Sequence, residues 1–238
     1  MGDPPDTIAL LAGASGLTGG ALLAQLLEAP DFARVYAVTR RPLGREHPRL
    51  ANRIAQFDRL EEQLKGVVCH TAFCCLGASA AATSGDARAV ELGYVLAFAR
   101  AARASRAERF VFLSCASAAA ASTDAGRLKQ ESERSLEALG FASLDILQPG
   151  PLVGLRREMR GSDLATLVTV PFINLTSFGA REPRRGISAR TVAAAMLGAA
   201  RSGRRGVYRY TYSGIRVLAR SKHRAGSVRA DVTVPGSR

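Results

Sequence analysis

The first residues with a chemical task legible in their spacing are Gly13-Ala14-Ser15-Gly16-Leu17-Thr18-Gly19. Glycines three apart, separated by mostly small residues, leave backbone N–H groups unshielded and let a phosphate approach them. The run follows a short apolar stretch, Ile8-Ala9-Leu10-Leu11. It opens a segment, Leu17 to Glu28, whose Leu22, Leu23, Leu26 and Leu27 share one helical face before Pro30 ends it. Strand, glycine turn and helix N-terminus in that order are what a pyrophosphate needs: a tight turn, close backbone and helix N–H groups facing the charge. The spacing is G-x-x-G-x-x-G rather than G-x-G-x-x-G. No Lys-Ser or Lys-Thr follows the last glycine, which excludes a P-loop.

The end of the second apolar run, Val35-Tyr36-Ala37-Val38, reports on the ligand attached to that pyrophosphate. A site for NAD(H) places Asp or Glu there to bind the ribose 2′-hydroxyl. This chain has Thr39-Arg40-Arg41, with no acid until Glu46. Guanidinium groups pair with phosphate oxygens, so Arg40 and Arg41 favour NADP(H) over NAD(H). The plain alternative is a solvated loop.

The elements that must position these residues alternate along the chain. Further apolar runs at Ala72–Leu76, Phe110–Leu113 and Leu144–Leu147 read as strands. Helical segments fall at about 87–104, at 124–139 with Gly140 placed to end it, and at 191–201. A last strand is expected at 207–212, and residues 50–64 are ambiguous. The expected class is α/β: a Rossmann-like doubly wound parallel sheet with a small irregular C-terminal substrate-side lobe. An NAD(P)-binding domain is expected over 6–215, with the substrate-side segment at about 152–188 inside it.

The net charge of +13 suggests nucleic acid until it is located. Residues 181–238 hold fourteen Lys and Arg against Glu182 and Asp231, whereas residues 1–180 are close to neutral. Residues 216–238 therefore read as a basic, flexible tail, able to touch phosphates without specificity and more simply a solvated terminus. Nothing else supports a nucleic-acid partner, since no recognition motif accompanies the charge. No apolar run reaches the roughly 18 residues of a membrane span. The residues Met1 to Asp6 lack a basic and an apolar region, so no secretory signal is read and a cytoplasmic location is expected. Cys69, Cys74, Cys75 and Cys115 lack C-x-x-C spacing and read as small core residues, and His47, His70 and His223 are scattered, so no metal site is expected.

Several of these pieces occur together in a known order. The glycine turn, Thr39-Arg40-Arg41, Phe73-Cys74-Cys75-Leu76-Gly77, Gln148-Pro149-Gly150-Pro151-Leu152-Val153-Gly154 and Ile187-Ser188-Ala189-Arg190-Thr191-Val192-Ala193 resemble atypical short-chain dehydrogenase/reductases of the Tat-interacting-protein type and their bacterial relatives. The resemblance spans about residues 6–215. It implies NADPH binding and a Ser/Tyr/Lys catalytic set. It places Asp58 near the adenine amino group, Leu76 and Gly77 beside the adenosine half, Lys129 on the nicotinamide ribose, and Pro149 among the cofactor-binding residues. Ser114 matches the start of the serine-bearing segment, with Ser117 as a competitor for the catalytic hydroxyl.

Two departures matter. The family pattern is Tyr-x-x-x-Lys, and four residues before Lys129 stands Ala125. A phenol there would exchange a proton with a substrate carbonyl, helped by the lysine charge, and alanine has no ionisable group. Gln148 stands where the family usually has Arg. Lys129 can also be read simply as a surface lysine beside Glu133 at i+4. Two functions follow: an NADP(H)-dependent oxidoreductase acting on a small carbonyl compound of unknown identity, or a catalytically inactive NADP(H)-binding regulatory or interaction protein.

Overall fold

The structure is a computed structural model that describes residues 7–78, 83–116, 124–153 and 186–221. Among these residues, seven strands form one parallel sheet: β1 (Thr7–Ala12), β2 (Phe32–Thr39), β3 (Leu50–Ile54), β4 (Thr71–Cys74), β5 (Arg109–Leu113), β6 (Ser143–Leu147) and β9 (Gly206–Tyr210). Their order is β3-β2-β1-β4-β5-β6-β9, so the chain winds outward first on one side of β1 and then on the other. The intervening β7 (Leu152–Val153) and β8 (Ile187–Ser188) form a separate parallel pair beyond the end of β6. Between β1 and β4 the winding reverses, and a crevice at the carboxyl ends of the strands is the consequence.

Both faces of the sheet are covered, which explains why its strands read as near-continuous apolar runs rather than as alternations. Ala9 and Leu11 face a layer containing α1 (Leu17–Glu28), while Leu10 and Ala12 face the other core. The first layer is closed by Leu22, Leu26 and Met196, and the second by Phe98, Phe110 and Phe112. Rings of Phe98 and Phe110 lie 5.9 Å apart, and those of Phe110 and Phe141 4.8 Å apart.

The ambiguous stretch resolves into edge strand β3, a 3-10 turn (Phe57–Arg59) and the short α2 (Leu60–Gln63). The expected helix at 87–104 begins earlier. It comprises α3 (Ser84–Arg88), a π-helical turn (Ala89–Tyr94) and α4 (Val95–Ala104). Helix α5 (Asp124–Glu137) follows β5, and Gly140 beyond it adopts φ +65°, the left-handed conformation expected of a glycine ending a helix. Two further helices, α6 (Ala189–Ala200) and α7 (Tyr212–Arg220), flank β9.

The fold runs past the boundary drawn from charge. Residues 216–220, assigned to a flexible tail, are the end of α7, because Ile215 and Leu218 lie on one face and are buried. Each such side chain contributes about 1.5–3 kcal/mol of apolar burial, enough to order a basic helix whose arginines stay in water. The rest of that tail, most of the 152–188 segment and Ser117 lie outside the described residues. No described helix is long and apolar enough to cross a membrane.

Candidate functional site

Gly13 leaves β1 at φ +84°, and a Cβ there would lie 2.5 Å from the Cys75 carbonyl oxygen at the end of β4. Conformation and space both require glycine. The Gly16 N–H donates to the Gly13 carbonyl at 3.0 Å and closes the turn. Helix α1 then begins with Gly16 as its N-cap, which offers no side chain to cap it, and no acid stands in its first turn. Ser15 and Gly16 are exposed, whereas Ala14, Thr18 and Gly19 are buried beneath them. A helix of 12 residues thus presents a bare positive end at the crevice between β1 and β4.

Arg40 and Arg41 are exposed just past β2, at the same edge of the sheet. Their loop is anchored by a residue that the sequence did not single out. Asn52, on β3, donates to the Ala37 carbonyl (3.0 Å) and to Thr39 Oγ1 (2.7 Å), and its Oδ1 accepts from the Leu43 N–H (2.9 Å). Asp58 is exposed in the turn after β3, and Phe57 beside it packs on Tyr94 with centroids 5.0 Å apart.

Leu76 and Gly77 follow β4, held where the Cys75 N–H meets the Ala12 carbonyl at 3.0 Å. Lys129 reaches this loop from α5. Its Nζ donates to the carbonyls of Leu76 (3.1 Å) and Leu113 (3.2 Å) and lies 2.8 Å from Glu91 Oε2. The side chain is only 13% exposed, so the surface-lysine reading is corrected: its ionic partner is Glu91 from the π turn, not Glu133. Ala125 stands in the first turn of α5, one helical turn before Lys129.

Ser114 is buried at the end of β5. Its backbone N–H donates to the Leu147 carbonyl at 2.8 Å and its hydroxyl donates to Glu133. Gln148, the residue in place of the family arginine, donates to both Glu133 oxygens at 3.0 and 2.9 Å, and Arg209 Nε lies 3.5 Å from the same carboxylate. Pro149 is buried, its carbonyl accepting from the Ala116 N–H at 2.9 Å. Burial pushes the thiols of Cys69 and Cys74 up to about 12 and raises Cys75 as well, which keeps them inert.

The glycine turn, the loop after β2, the turn of Asp58, the loop after β4, and the groups at the ends of β5 and β6 therefore gather at one edge of the sheet. Across residues 9–139 the chain matches the profile of the NAD dependent epimerase/dehydratase family. The chain belongs to that family. Among curated proteins it is 32% identical over 161 residues to Protein FMP52, mitochondrial, of Saccharomyces cerevisiae, covering 64% of this chain and 69% of that one. It is 33% identical over 156 residues to Protein HTATIP2 of Rattus norvegicus, covering 63% and 64% respectively, which bears out the Tat-interacting-protein resemblance.

Solved structures of the same fold superimpose on most of the chain. UDP-glucose 4-epimerase from Thermotoga maritima aligns with a TM-score of 0.64 at 16% identity, covering 89% of this chain and 80% of that one. The Bordetella bronchiseptica enzyme WbmH, solved in complex with NAD+, gives 0.64 at 15% identity, covering 87% and 75%. At such identities the likeness concerns the fold. The cytoplasmic expectation is corrected, because the FMP52 relatives are named mitochondrial. The composition of residues 1–6 does not discriminate among the compartments inside a cell.

Proposed function

We propose that this epimerase/dehydratase-family chain binds NADP(H) and holds it without efficient hydride transfer. The observation that carries the binding is the start of α1: an acid-free helix N-terminus, without a capping side chain at Gly16, behind a turn that leaves no room for a Cβ at Gly13 or Gly19. The turn from Gly13 to Gly19 would hold the pyrophosphate through N–H groups. Arg40 and Arg41, which form no ion pair with the described residues, would take the 2′-phosphate. Asp58, Leu76, Gly77 and Pro149 would border the rest of the dinucleotide. Bound NADP(H) supplies the hydride chemistry; the chain must supply the proton.

That second task is where the residues fall short. Ala125 carries no acid, the Ser114 hydroxyl is bonded to Glu133, and Lys129 Nζ donates to two carbonyls and is ion-paired with Glu91. A missing general acid lowers a rate by about 10²–10⁴-fold. A slow oxidoreductase acting on a small carbonyl compound is the second reading, favoured by the arrival of Ser114 and Lys129 at the same edge as the glycine turn. Titration of purified protein with NADPH, followed by cofactor fluorescence, tests binding. Turnover on a panel of carbonyl compounds, with and without Ala125→Tyr, then separates the readings. Saturable binding without turnover by the wild-type chain is expected for a holding protein, and turnover gained in Ala125→Tyr would trace that silence to the missing phenol. Turnover by the wild-type chain would establish the oxidoreductase, and no binding of either NADPH or NADH would remove both readings.

A further inference from the structure

Glu91 is a buried acid that the glycine turn does not explain. It is 3% exposed and sits in the π-helical turn between α3 and α4, an irregularity that recurs at functional positions. A carboxylate removed from water is stable only when its oxygens are bound. Oε1 accepts from the Ala78 N–H at 2.7 Å, and Oε2 is ion-paired with Lys129 Nζ at 2.8 Å and has no hydrogen-bond partner among the described residues. Its own carbonyl accepts from Ser132 Oγ at 2.5 Å, so α5 grips the π turn at a second point.

These bonds enclose one short piece of chain. Past Cys75 the backbone is held by side chains: the Leu76 carbonyl by Lys129 and the Ala78 N–H by Glu91. The two holders are bound to each other, so the loop and the ammonium form one closed unit at the crevice edge.

We propose that Glu91 is a positioning residue of the dinucleotide site, fixing the 76–78 loop and Lys129 together through one oxygen each. The proposal rests on the binding reading above. Its consequence is that loop position and lysine position are not independent. Glu91→Ala frees both, whereas Glu91→Gln keeps an acceptor for the Ala78 N–H and loses only the charge on the lysine side. A residue that merely stabilises the helix would change unfolding and leave the affinity of the folded protein alone.

The test measures the NADPH dissociation constant and the thermal midpoint for wild type, Glu91→Ala, Glu91→Gln, Lys129→Met and the Glu91→Ala/Lys129→Met pair. Asp31→Ala, which breaks the Asp31–Arg201 ion pair beside the start of β2, serves as a control for lost stability at a distance. Glu91→Ala is expected to weaken NADPH by about tenfold or more, the scale of a lost charged hydrogen bond, with Glu91→Gln between it and wild type. The double variant should bind within about twofold of the weaker single one, because the residues act as a unit. Asp31→Ala should lower the midpoint and leave affinity unchanged. Wild-type affinity in both folded Glu91 variants overturns the proposal and leaves the binding reading standing. If Glu91→Ala does not fold, Glu91→Gln decides, with amide exchange at Ala78 as its second readout. Failure of the wild-type chain to bind any dinucleotide overturns the proposal and the reading beneath it.

Discussion

Gly19 lies so close to Gly13 that a Cβ on the helix residue would overlap the carbonyl oxygen of the turn residue. The third glycine of the motif is therefore a packing requirement between α1 and β1, distinct from the positive φ required of the first. Gly19→Ala must push the helix away from the turn, a form of overpacking that costs about 1–3 kcal/mol. The same shift displaces the N–H groups that would face the pyrophosphate. The expected outcome is a lower urea midpoint together with weaker NADPH binding. Unchanged values for both would mean that the turn gives way without consequence.

The two arginines after β2 should discriminate between cofactors without serving stability. Both are exposed, and Asn52 holds their loop through backbone and Thr39 contacts that do not involve them. Replacing Arg40 and Arg41 together by Ala should weaken NADPH by at least about tenfold, since hydrogen bonds to a charged group contribute about 1.5–3 kcal/mol each. NADH affinity and the thermal midpoint should stay near wild type. Paired titrations with the two cofactors, repeated at low and high salt, check this. An equal loss for both cofactors would place the arginines on the pyrophosphate or the fold instead.

What could be read from sequence was local. The turn from Gly13 to Gly19 and the Leu22, Leu23, Leu26 and Leu27 stripe announce themselves within a few residues, because turn geometry and helical periodicity are short-range. Strand β3 was blurred because it is an edge strand whose Arg53 and Ile54 are exposed, leaving no apolar run to see. Helix α7 was hidden by its arginines, although Ile215 and Leu218 already marked a buried face. Glu91 was invisible for a different reason. Its partners Ala78 and Lys129 lie on other elements, and a π turn leaves no periodic trace. Glu133 was seen only as a neighbour of Lys129 at i+4, whereas its contacts are Ser114, Gln148 and Arg209.

A second buried acid makes a prediction about pH. Asp145, in the middle of β6, is wholly inaccessible and accepts from Tyr210 Oη at 2.8 Å and Ser143 Oγ at 2.9 Å. Burial raises its pKa above the usual carboxylate range, against the opposing pull of those two hydroxyls and of Arg109 and Arg204. The sign follows from proton counting. Between the ordinary value and the raised one, the folded chain binds more proton than the unfolded chain, so stability falls as pH rises through that window. Above the window the ionised group weighs against folding; below both values the effect disappears. Asp145→Asn removes this titration while keeping an oxygen for Tyr210. Urea unfolding of both proteins from about pH 4 to about pH 7 isolates the term as a difference, because the remaining carboxylates titrate alike in each. The wild-type chain should gain on the variant as pH falls. A difference that stays flat would mean that the Tyr210 and Ser143 bonds offset burial fully and hold Asp145 at its ordinary value.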